Sequence, residues 1–327
     1  MKNELLENLK PTFKAYGIVW TGLSAKILID CYRNNDYSDA INIFYFLSFV
    51  PVIALSLLKF LLPIPFIRRF ISGILNWSAS CWIAINSFLA NKHCRINVTW
   101  PEDVTFSTDH WYLVIANHQS WVDIYVLQRI FNGKIPFLKF FLKQQLIFVP
   151  FLGIAWWALD FPFMKRHTKA YLKKYPHKKG QDLETTKHAC EKFKHIPISV
   201  MNFVEGTRFT DAKANRQNSP YKHLLKPKSG GVGTVLSILG EQMHTVVDVT
   251  LHYPAGSPSF WDFLTGKIND INVVINVFEI DPAIIGDMTN NETRIRVQSW
   301  LNDVWQSKDQ QLQELYGQPN APFSGDN

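Results

Sequence analysis

The chain has 327 residues, of which 47% are hydrophobic and 19% are charged. This composition excludes a disordered chain and a coiled-coil rod, and the length is sufficient to bury a sizeable core. The 34 Lys and Arg residues outnumber the 27 Asp and Glu residues, giving a net charge of +7. Such a surface suits anionic partners: phosphate head groups, acidic lipid, coenzymes or nucleic acid.

The cysteine content indicates a reducing compartment. Four cysteines occur, none of them in a Cys-x-x-Cys pair, and four in a chain of this length do not make a disulfide framework. His188, Cys190 and His195 lie close together in the sequence. No second pair of ligands stands at metal-binding spacing, so the sequence predicts no metal site.

The first quarter of the chain contains two apolar stretches after a mixed, polar N-terminal extension, 1–39. Ala40–Leu58 carries no charge and Lys59 alone interrupts the run that follows, which is long enough to predict a membrane-spanning helix. Phe70–Ala90 is also uncharged but polar on one side, as in a helix that packs on a neighbour or lies at the interface. We therefore predict a two-helix membrane anchor over 40–92; the alternative is a buried core hairpin.

The sequence pattern of residues 93–317 is typical of an α/β domain, because short β-branched or aromatic runs alternate with helical patterns. The segment Asp211–Lys228 reads as a basic polar loop, and the tail, 318–327, is polar. The predicted strands are Arg95–Trp100, Trp111–Ala116, Ile135–Leu142, Phe161–Met164, Ile198–Val204, Thr245–His252 and Ile271–Phe278. The predicted helices are Val122–Phe131, Asp182–Lys194, Gly231–Leu239 and Thr293–Leu315.

The stretch Asn117–Asp123 follows a predicted strand and precedes a predicted helix. His118 and Asp123 are five residues apart, which is about 140° of rotation on a continuous helix, so they would not share a face. If the chain turns between them, Asp123 can accept from one ring nitrogen and leave the other free as a base. The nucleophile would then arrive with the substrate, as an alcohol. The alternative is a capped turn with a histidine whose hydrogen bonds are satisfied.

A second polar stretch, Phe203–Arg208, ends another predicted strand and reads Phe-Val-Glu-Gly-Thr-Arg. Its glycine allows a tight turn of the backbone. Its arginine offers a rigid fork of donors to a phosphate or a carboxylate. The alternative is a strand end with a surface ion pair between Glu205 and Arg208.

Together the two motifs, Asn-His-x4-Asp and Phe-Val-Glu-Gly-Thr-Arg, resemble those of the PlsC-like glycerolipid acyltransferases. Two linking segments agree: Lys143–Gly153 resembles the family's Lys-x-x-Leu and Pro-x-x-Gly stretch, and Phe163–Arg166 resembles its Phe-x-x-Arg block. The runs Phe141–Arg166 and Asp182–Arg208 are most similar to the bacterial YihG-type probable acyltransferases. The resemblance covers about residues 40–315.

The resemblance implies a PlsC-like glycerolipid acyltransferase fold, an α/β fold whose mostly parallel central sheet is flanked by helices and preceded by a two-helix membrane anchor. It implies transfer of a fatty acyl group from an acyl-CoA or acyl-carrier-protein thioester to the free hydroxyl of a lysophospholipid. The commonest acceptor is 1-acyl-sn-glycerol-3-phosphate, which gives phosphatidic acid. His118 would be the general base and Asp123 would orient it. The residues expected to bind the acceptor are Arg166, Glu205, Gly206, Thr207 and Arg208, and no metal or redox cofactor is implied.

The acceptor and the partners stay open in part. Many family members carry a proline in a late strand where this chain reads Val246–Thr250, which leaves the exact acceptor in doubt. A run of basic residues, Lys165–Lys179, is either a solvated surface or attracts anionic lipid or an acidic carrier protein. No nucleic-acid-binding module is recognisable. We expect a membrane enzyme with its catalytic domain on the cytoplasmic face, at the inner membrane if the source is bacterial. The alternatives are an acyltransferase for another lysophospholipid and a non-catalytic lipid-binding module.

Overall fold

The computed structural model describes residues 52–62, 64–90, 94–149, 152–164, 187, 190–194, 196–268 and 270–317. The predicted N-terminal extension, the first part of the predicted anchor, 40–51, and the polar tail lie outside the described residues. So do most of the predicted helix Asp182–Lys194 and the whole of the basic run Lys165–Lys179. The described end of that helix is a short 3-10 turn, Glu191–Lys194.

Strands alternate with helices along the described chain, as predicted. The strands are β1 (Arg95–Thr99), β2 (Tyr112–Ala116), β3 (Leu138–Phe140), β4 (Leu142–Lys143), β5 (Phe163–Met164), β6 (Ser199–Phe203), β7 (Thr245–His252) and β8 (Asp270–Glu279). The helices are α1 (Pro65–Ala90), α2 (Val122–Phe131), α3 (Leu152–Ala158), α4 (Asp211–Gln217), α5 (Ser229–Leu239), α6 (Phe260–Leu264) and α7 (Asn291–Gly317). The remaining 3-10 turns are Gln144–Phe148 and Pro282–Ile284.

The central sheet has six strands in the order β1-β8-β7-β2-β6-β3. Every neighbouring pair is parallel except β7 with β8, so the prediction of a mostly parallel sheet flanked by helices is confirmed. At the end of β2, Ala116 pairs with Phe203 of β6 and with Val249 of β7. The carboxyl ends of three strands therefore meet at one edge, where open α/β sheets place their ligands.

Both faces of this sheet are buried, because successive side chains of a strand point to opposite sides. Leu113 and Ile115 of β2 pack with Trp305 and Leu312 of α7 on one face. Tyr112, Val114 and Ala116 pack with α2 on the other face. Since the centre of β2 is buried on both sides, the residues that follow it start from a rigid base.

The structure corrects two sequence-based predictions. Asp211–Lys228 is not entirely a loop, because α4 occupies its first seven residues, capped by the Thr210 side chain, which accepts from the backbone N–H of Lys213. The helix ends at Asn218, which takes the left-handed conformation, with φ 46°. The predicted strand Ile135–Leu142 is divided: β3 joins the central sheet, and β4 pairs with β5 in a separate two-stranded sheet.

Two helical segments precede the sheet, residues 52–61 and α1, as the predicted hairpin requires. Within the part of the chain that the structure describes, no helix has both the length and the mean hydropathy needed to cross a bilayer. The described residues therefore do not support the predicted crossing. Large apolar side chains on these segments are nevertheless exposed: Leu57, Leu58, Phe60, Leu61, Ile64, Phe66, Phe70 and Trp77.

Candidate active site

His118 and Asp123 meet in the loop between β2 and α2. The Nδ1 atom of His118 lies 2.8 Å from the Oδ2 atom of Asp123. The Asp123 side chain is fully buried, whereas the histidine is 13% exposed. The chain turns between the two residues because the backbone N–H groups of Gln119 and Ser120 also point at Oδ2, at 2.6 and 2.9 Å. This is the arrangement that the sequence spacing requires of a base and its orienting carboxylate.

The Asp123 carboxylate fixes the protonation pattern of the imidazole. Its Oδ1 atom accepts from the Tyr253 hydroxyl at 2.5 Å, and two backbone N–H groups donate to Oδ2. Burial, followed by the charge of Asp123, raises the pKa of Tyr253 well above its usual value, so the phenol keeps its proton. A carboxylate only accepts hydrogen bonds, and all the other partners of Asp123 donate to it. His118 therefore also donates to Asp123, from Nδ1. Its Nε2 atom then carries the free lone pair of a general base.

Two further contacts hold the histidine loop against the sheet. Phe203, the last residue of β6, stacks on the His118 ring with centroids 3.9 Å apart and an interplanar angle of 13°. Asn117 bonds to β7 twice: its Nδ2 donates to the Leu251 carbonyl at 2.9 Å, and its Oδ1 accepts from the Leu251 N–H at 2.8 Å. These contacts therefore fix the plane of the imidazole ring and its position relative to the sheet edge.

Glu205 lies beneath this loop, away from the surface. Its side chain is fully buried. Its Oε1 atom accepts from the His118 backbone N–H at 2.9 Å, and its Oε2 atom accepts from the Leu225 N–H at 2.9 Å. Burial raises the pKa of Glu205 to about 8. Because both oxygens are engaged by the backbone, the contacts give Glu205 a positioning role, and binding of the acceptor stays a prediction for this residue.

The turn after Glu205 presents the remaining predicted binding residues. Gly206 has a φ of 71°, a left-handed conformation that glycine adopts at little cost. Arg208 is exposed, and its guanidinium carbon lies 5.1 Å from the centroid of the Trp121 ring. The backbone N–H of Phe209 donates to the His118 carbonyl at 2.7 Å. The turn and the histidine loop are therefore joined, which places a free arginine fork beside the base.

Comparison with known proteins agrees with this geometry. Residues 95–253, which contain both motifs, match the family model described as Acyltransferase. This match covers slightly less than half of the chain and, with the curated relatives, supports a PlsC-like acyltransferase family. The closer resemblance to the YihG-type members stays a prediction.

Several curated acyltransferases are similar to this chain. The probable 1-acyl-sn-glycerol-3-phosphate acyltransferase 5 of Arabidopsis thaliana is 27% identical over 75% of this chain and 64% of its own length. The 1-acyl-sn-glycerol-3-phosphate acyltransferase gamma of Mus musculus is 27% identical over 76% of this chain and 64% of its own length. The chain thus spans slightly less than two thirds of these relatives. The solved Thermotoga maritima PlsC, a 1-acyl-sn-glycerophosphate acyltransferase, superimposes with a TM-score of 0.46 at 17% identity, covering 85% of this chain and 95% of that one.

The late strand that reads Val246–Thr250 contains a buried ion pair. The Asp248 carboxylate of β7 lies 2.8 Å from the ammonium of Lys308 on α7, with both side chains almost fully buried. Lys308 also donates to the Val249 carbonyl at 2.6 Å and to the Thr250 hydroxyl at 3.1 Å. A tertiary contact thus fastens α7 to β7, the strand that contains Leu251 and directly precedes Tyr253.

The sequence predicted most, but not all, of the residues that come together at the sheet edge. His118, Asp123, Glu205, Gly206, Thr207 and Arg208 come together, while Arg166 lies outside the described residues. Tyr253 and Trp121 were not predicted; the only sequence signals were the position of Tyr253 directly after a predicted strand and that of Trp121 inside the histidine motif. Among the residues that the structure describes, no group of three His, Cys, Asp or Glu side chains is placed to hold a metal ion.

Proposed function

We propose that the protein transfers a fatty acyl group from an acyl-CoA or acyl-carrier-protein thioester to the free hydroxyl of a lysophospholipid. The proposed acceptor is 1-acyl-sn-glycerol-3-phosphate and the product is phosphatidic acid. The observation that carries the proposal is the 2.8 Å contact between His118 Nδ1 and the buried Asp123 carboxylate. Because that contact holds the proton on Nδ1, Nε2 of a partly exposed imidazole is free to act as a base.

The reaction needs one base and no covalent enzyme intermediate, because a thioester is already activated. His118 Nε2 takes the proton of the acceptor hydroxyl as its oxygen attacks the thioester carbonyl carbon. The tetrahedral intermediate then collapses, the carbon–sulfur bond breaks, and the thiolate leaves. The imidazolium returns its proton to the sulfur, so an ester and a free thiol are formed and His118 is neutral again. Asp123 and Tyr253 hold the imidazole through both proton transfers.

The identity of the acceptor is supported by the relatives and by the charge beside the base. The plant and mouse relatives are named 1-acyl-sn-glycerol-3-phosphate acyltransferases. The exposed guanidinium of Arg208, with Gly206 and Thr207 on the same turn, offers a bidentate site for a phosphate. We extend the phosphate site to Arg166 on the sequence resemblance alone.

We further propose that the protein works at a membrane surface, with the catalytic domain on the cytoplasmic face, at the inner membrane in a bacterium. Phe66, Phe70, Ile74 and Trp77 of α1 line an open apolar groove that also includes Arg69. Exposed aromatic and aliphatic side chains with a neighbouring cation are typical of a helix that lies in the lipid interface. The described cysteines, Cys81, Cys94 and Cys190, form no disulfide with one another, which suits the reducing side of the membrane.

Replacement of the base tests the chemical proposal. His118→Ala should reduce acyl transfer to 1-acyl-sn-glycerol-3-phosphate by about two to four orders of magnitude, since a general base contributes on that scale. The control is His110→Ala, because His110 is an exposed histidine on the loop before β2 and should leave the rate unchanged. Equal rates for the wild type and His118→Ala would overturn the catalytic role. No transfer by the wild type to any lysophospholipid in an acceptor-by-donor matrix would favour the lipid-binding alternative.

The membrane proposal has its own test with vesicles that contain anionic lipid. The double variant Phe66→Ser/Phe70→Ser should bind such vesicles more weakly and show a higher KM for a long-chain acceptor presented in them. Its kcat/KM for a short-chain acceptor free in solution should match that of the wild type. Ile295→Ser, which removes an equally exposed aliphatic side chain on α7, is the control and should bind vesicles as the wild type does. Unchanged binding by the double variant would contradict the proposed surface.

A further inference from the structure

Three cations, Arg208, Lys213 and Lys228, lie at the turn 206–208. Among the described residues, no carboxylate forms an ion pair with Arg208, Lys213 or Lys228, although ion pairs occur elsewhere in the fold. The one carboxylate of the turn, Glu205, is buried and occupied by backbone N–H groups. Glu205 still acts on Lys213 through its charge, but it forms no ion pair with it, so we infer that the further counter-charge for these cations arrives with a ligand.

Lys213, like Lys228, lies outside the two sequence motifs. It lies in the first turn of α4, and its side chain folds back over the turn. Its Nζ atom donates to the Thr207 hydroxyl at 3.0 Å and to the Arg208 carbonyl at 2.7 Å. An ammonium has three N–H donors, so one is left for a ligand. The contacts also fix the backbone from which the Arg208 side chain extends.

The electrostatics of Lys213 agree with an anion site. Burial, followed by the guanidinium charges of Arg208 and Arg216, lowers the pKa of Lys213 from its usual value. A charged ligand phosphate beside Arg208 and Lys213 would reverse that effect, because an opposite charge within a few ångströms favours the protonated amine. The positive charges of Arg208 and Lys213 repel each other, and a phosphate bound beside them would relieve that repulsion.

Lys228 approaches the same turn from another side. A Cβ atom placed on Gly206 would lie 3.2 Å from the Lys228 ammonium. The backbone N–H of Lys228 donates to the Val204 carbonyl at 2.8 Å, which fixes its position next to the end of β6. Glycine at 206 thus allows both the left-handed turn and the close approach of a second lysine.

We propose that Lys213 is a specificity-determining residue that, together with Arg208 and Lys228, selects an acceptor bearing a phosphomonoester over one bearing a phosphodiester. This inference rests on the proposed function and concerns the acceptor class. A phosphomonoester carries about −1.5 to −2 charges near pH 7, with a second ionisation near pH 6. A phosphodiester lysolipid carries a single negative charge on its phosphate. A second and a third cation beside Arg208 therefore stabilise mainly the doubly charged phosphomonoester.

The test compares two acceptors that differ by one methyl group: 1-acyl-sn-glycerol-3-phosphate and its methyl phosphodiester. The measured quantity is R, the ratio of kcat/KM for the monoester to kcat/KM for the diester. Lys213→Met should lower kcat/KM for the monoester by about 10- to 100-fold and that for the diester by less than about 3-fold, so that R falls at least severalfold. Lys213→Arg keeps the charge and the donors, and it should keep most of R.

A pH profile separates charge recognition from a structural role. R of the wild type should rise as pH increases through the second ionisation of the monoester, near pH 6. Any effect of pH on the chemical step that the two acceptors share cancels in R. The rise should be much smaller in Lys213→Met. Arg216→Met, which removes a nearby charge that makes no contact with the turn, is the control and should change R by less than about 3-fold.

The outcomes separate this inference from the proposed function. An equal loss of kcat/KM for both acceptors in Lys213→Met, with R unchanged, would show that the lysine only holds the turn and would overturn the inference. A wild-type R near one at all pH values would also overturn it. Absence of turnover by the wild-type protein with either acceptor would overturn the proposed function and this inference together.

Discussion

The carboxylate of Glu205 accepts a hydrogen bond of 2.9 Å from the backbone N–H of His118, and its other oxygen accepts one from Leu225. One buried side chain thus joins the loop that carries the base to the segment that follows α4. This contact acts on the backbone of His118, whereas Asp123 acts on its ring. Backbone and imidazole are therefore positioned by two different acids.

Glu205→Gln should lower both stability and turnover. An amide has one oxygen, so one of the two buried N–H groups would lose its acceptor and face an NH2 group instead. An unsatisfied buried donor costs about 1–3 kcal/mol, and urea denaturation should show a loss of that size. The rate should fall because the His118 backbone is no longer held. Glu241→Gln, an exposed carboxylate at the end of α5, is the control; equal stability of the two variants would refute the role given to Glu205.

Glu205 should also make stability depend on pH. Its pKa is raised to about 8 by burial, from 4.5. Between these values the folded state holds a proton that the unfolded state has released, so the free energy of unfolding falls as pH rises from about 5 to 8 and levels off above. Denaturation of the wild type minus that of Glu205→Gln, measured across pH 5–9, should show this slope. A flat difference would mean that the carboxylate is already ionised at pH 5.

Tyr253→Phe should reduce kcat while changing KM little. The phenol donates a 2.5 Å hydrogen bond to the Asp123 carboxylate, and hydrogen bonds to charged groups contribute about 1.5–3 kcal/mol. Without it, Asp123 orients His118 less firmly, and kcat should fall about tenfold or more. Tyr221→Phe is the matched control, because that hydroxyl bonds a backbone carbonyl of α7 and should affect stability alone. A normal kcat in Tyr253→Phe would remove the phenol from the mechanism.

The elements of this fold were predictable where the pattern is local. The observed bounds of α2 and β7 equal the predicted bounds to the residue. The pattern of apolar residues that marks a helix or a strand repeats within a few positions, so it can be recognised locally. The pairing of His118 with Asp123 could also be predicted, because residues five apart do not share a face of a helix and meet only if the chain turns between them. Helix α4 was not predicted, because its N-cap, Thr210, lies in a polar stretch whose composition is typical of a loop.

What the sequence could not give are contacts that join distant parts of the chain. The Tyr253 hydroxyl meets Asp123 across 130 residues. The two backbone partners of Glu205, which was expected to bind the acceptor on the family resemblance, are likewise not visible in the sequence. Lys59 was taken for an interruption of an apolar run, yet its ammonium lies buried against Asp160, 101 residues later. Such contacts depend on tertiary packing that no local pattern encodes.

Trp121→Leu should weaken acceptor binding without changing the chemistry. The Arg208 guanidinium lies over the indole ring, and an exposed cation–π contact contributes about 0.5–1 kcal/mol. Loss of the ring leaves the arginine less ordered, so KM for the phosphorylated acceptor should rise by about 2- to 5-fold at constant kcat. Trp261→Leu, an exposed tryptophan on α6, is the control. A change confined to kcat would place Trp121 in another role.

Lys59→Met should destabilise the protein strongly. The Lys59 ammonium donates to Asp160 Oδ2 at 2.8 Å and to the Ala158 carbonyl at 2.6 Å, and it is 5% exposed. Removal of one partner of a buried ion pair leaves an uncompensated charge and costs about 3–5 kcal/mol. The double variant Lys59→Met/Asp160→Asn should recover much of this loss, because asparagine is neutral and tolerates the left-handed backbone of residue 160, with φ 61°. Lys267→Met serves as the control, since its ion pair with Asp262 is exposed and contributes less than about 1 kcal/mol. If Lys59→Met were no less stable than Lys267→Met, or if the double variant were the least stable of the three, the ion pair would not be what fastens residues 52–61 to the α/β domain.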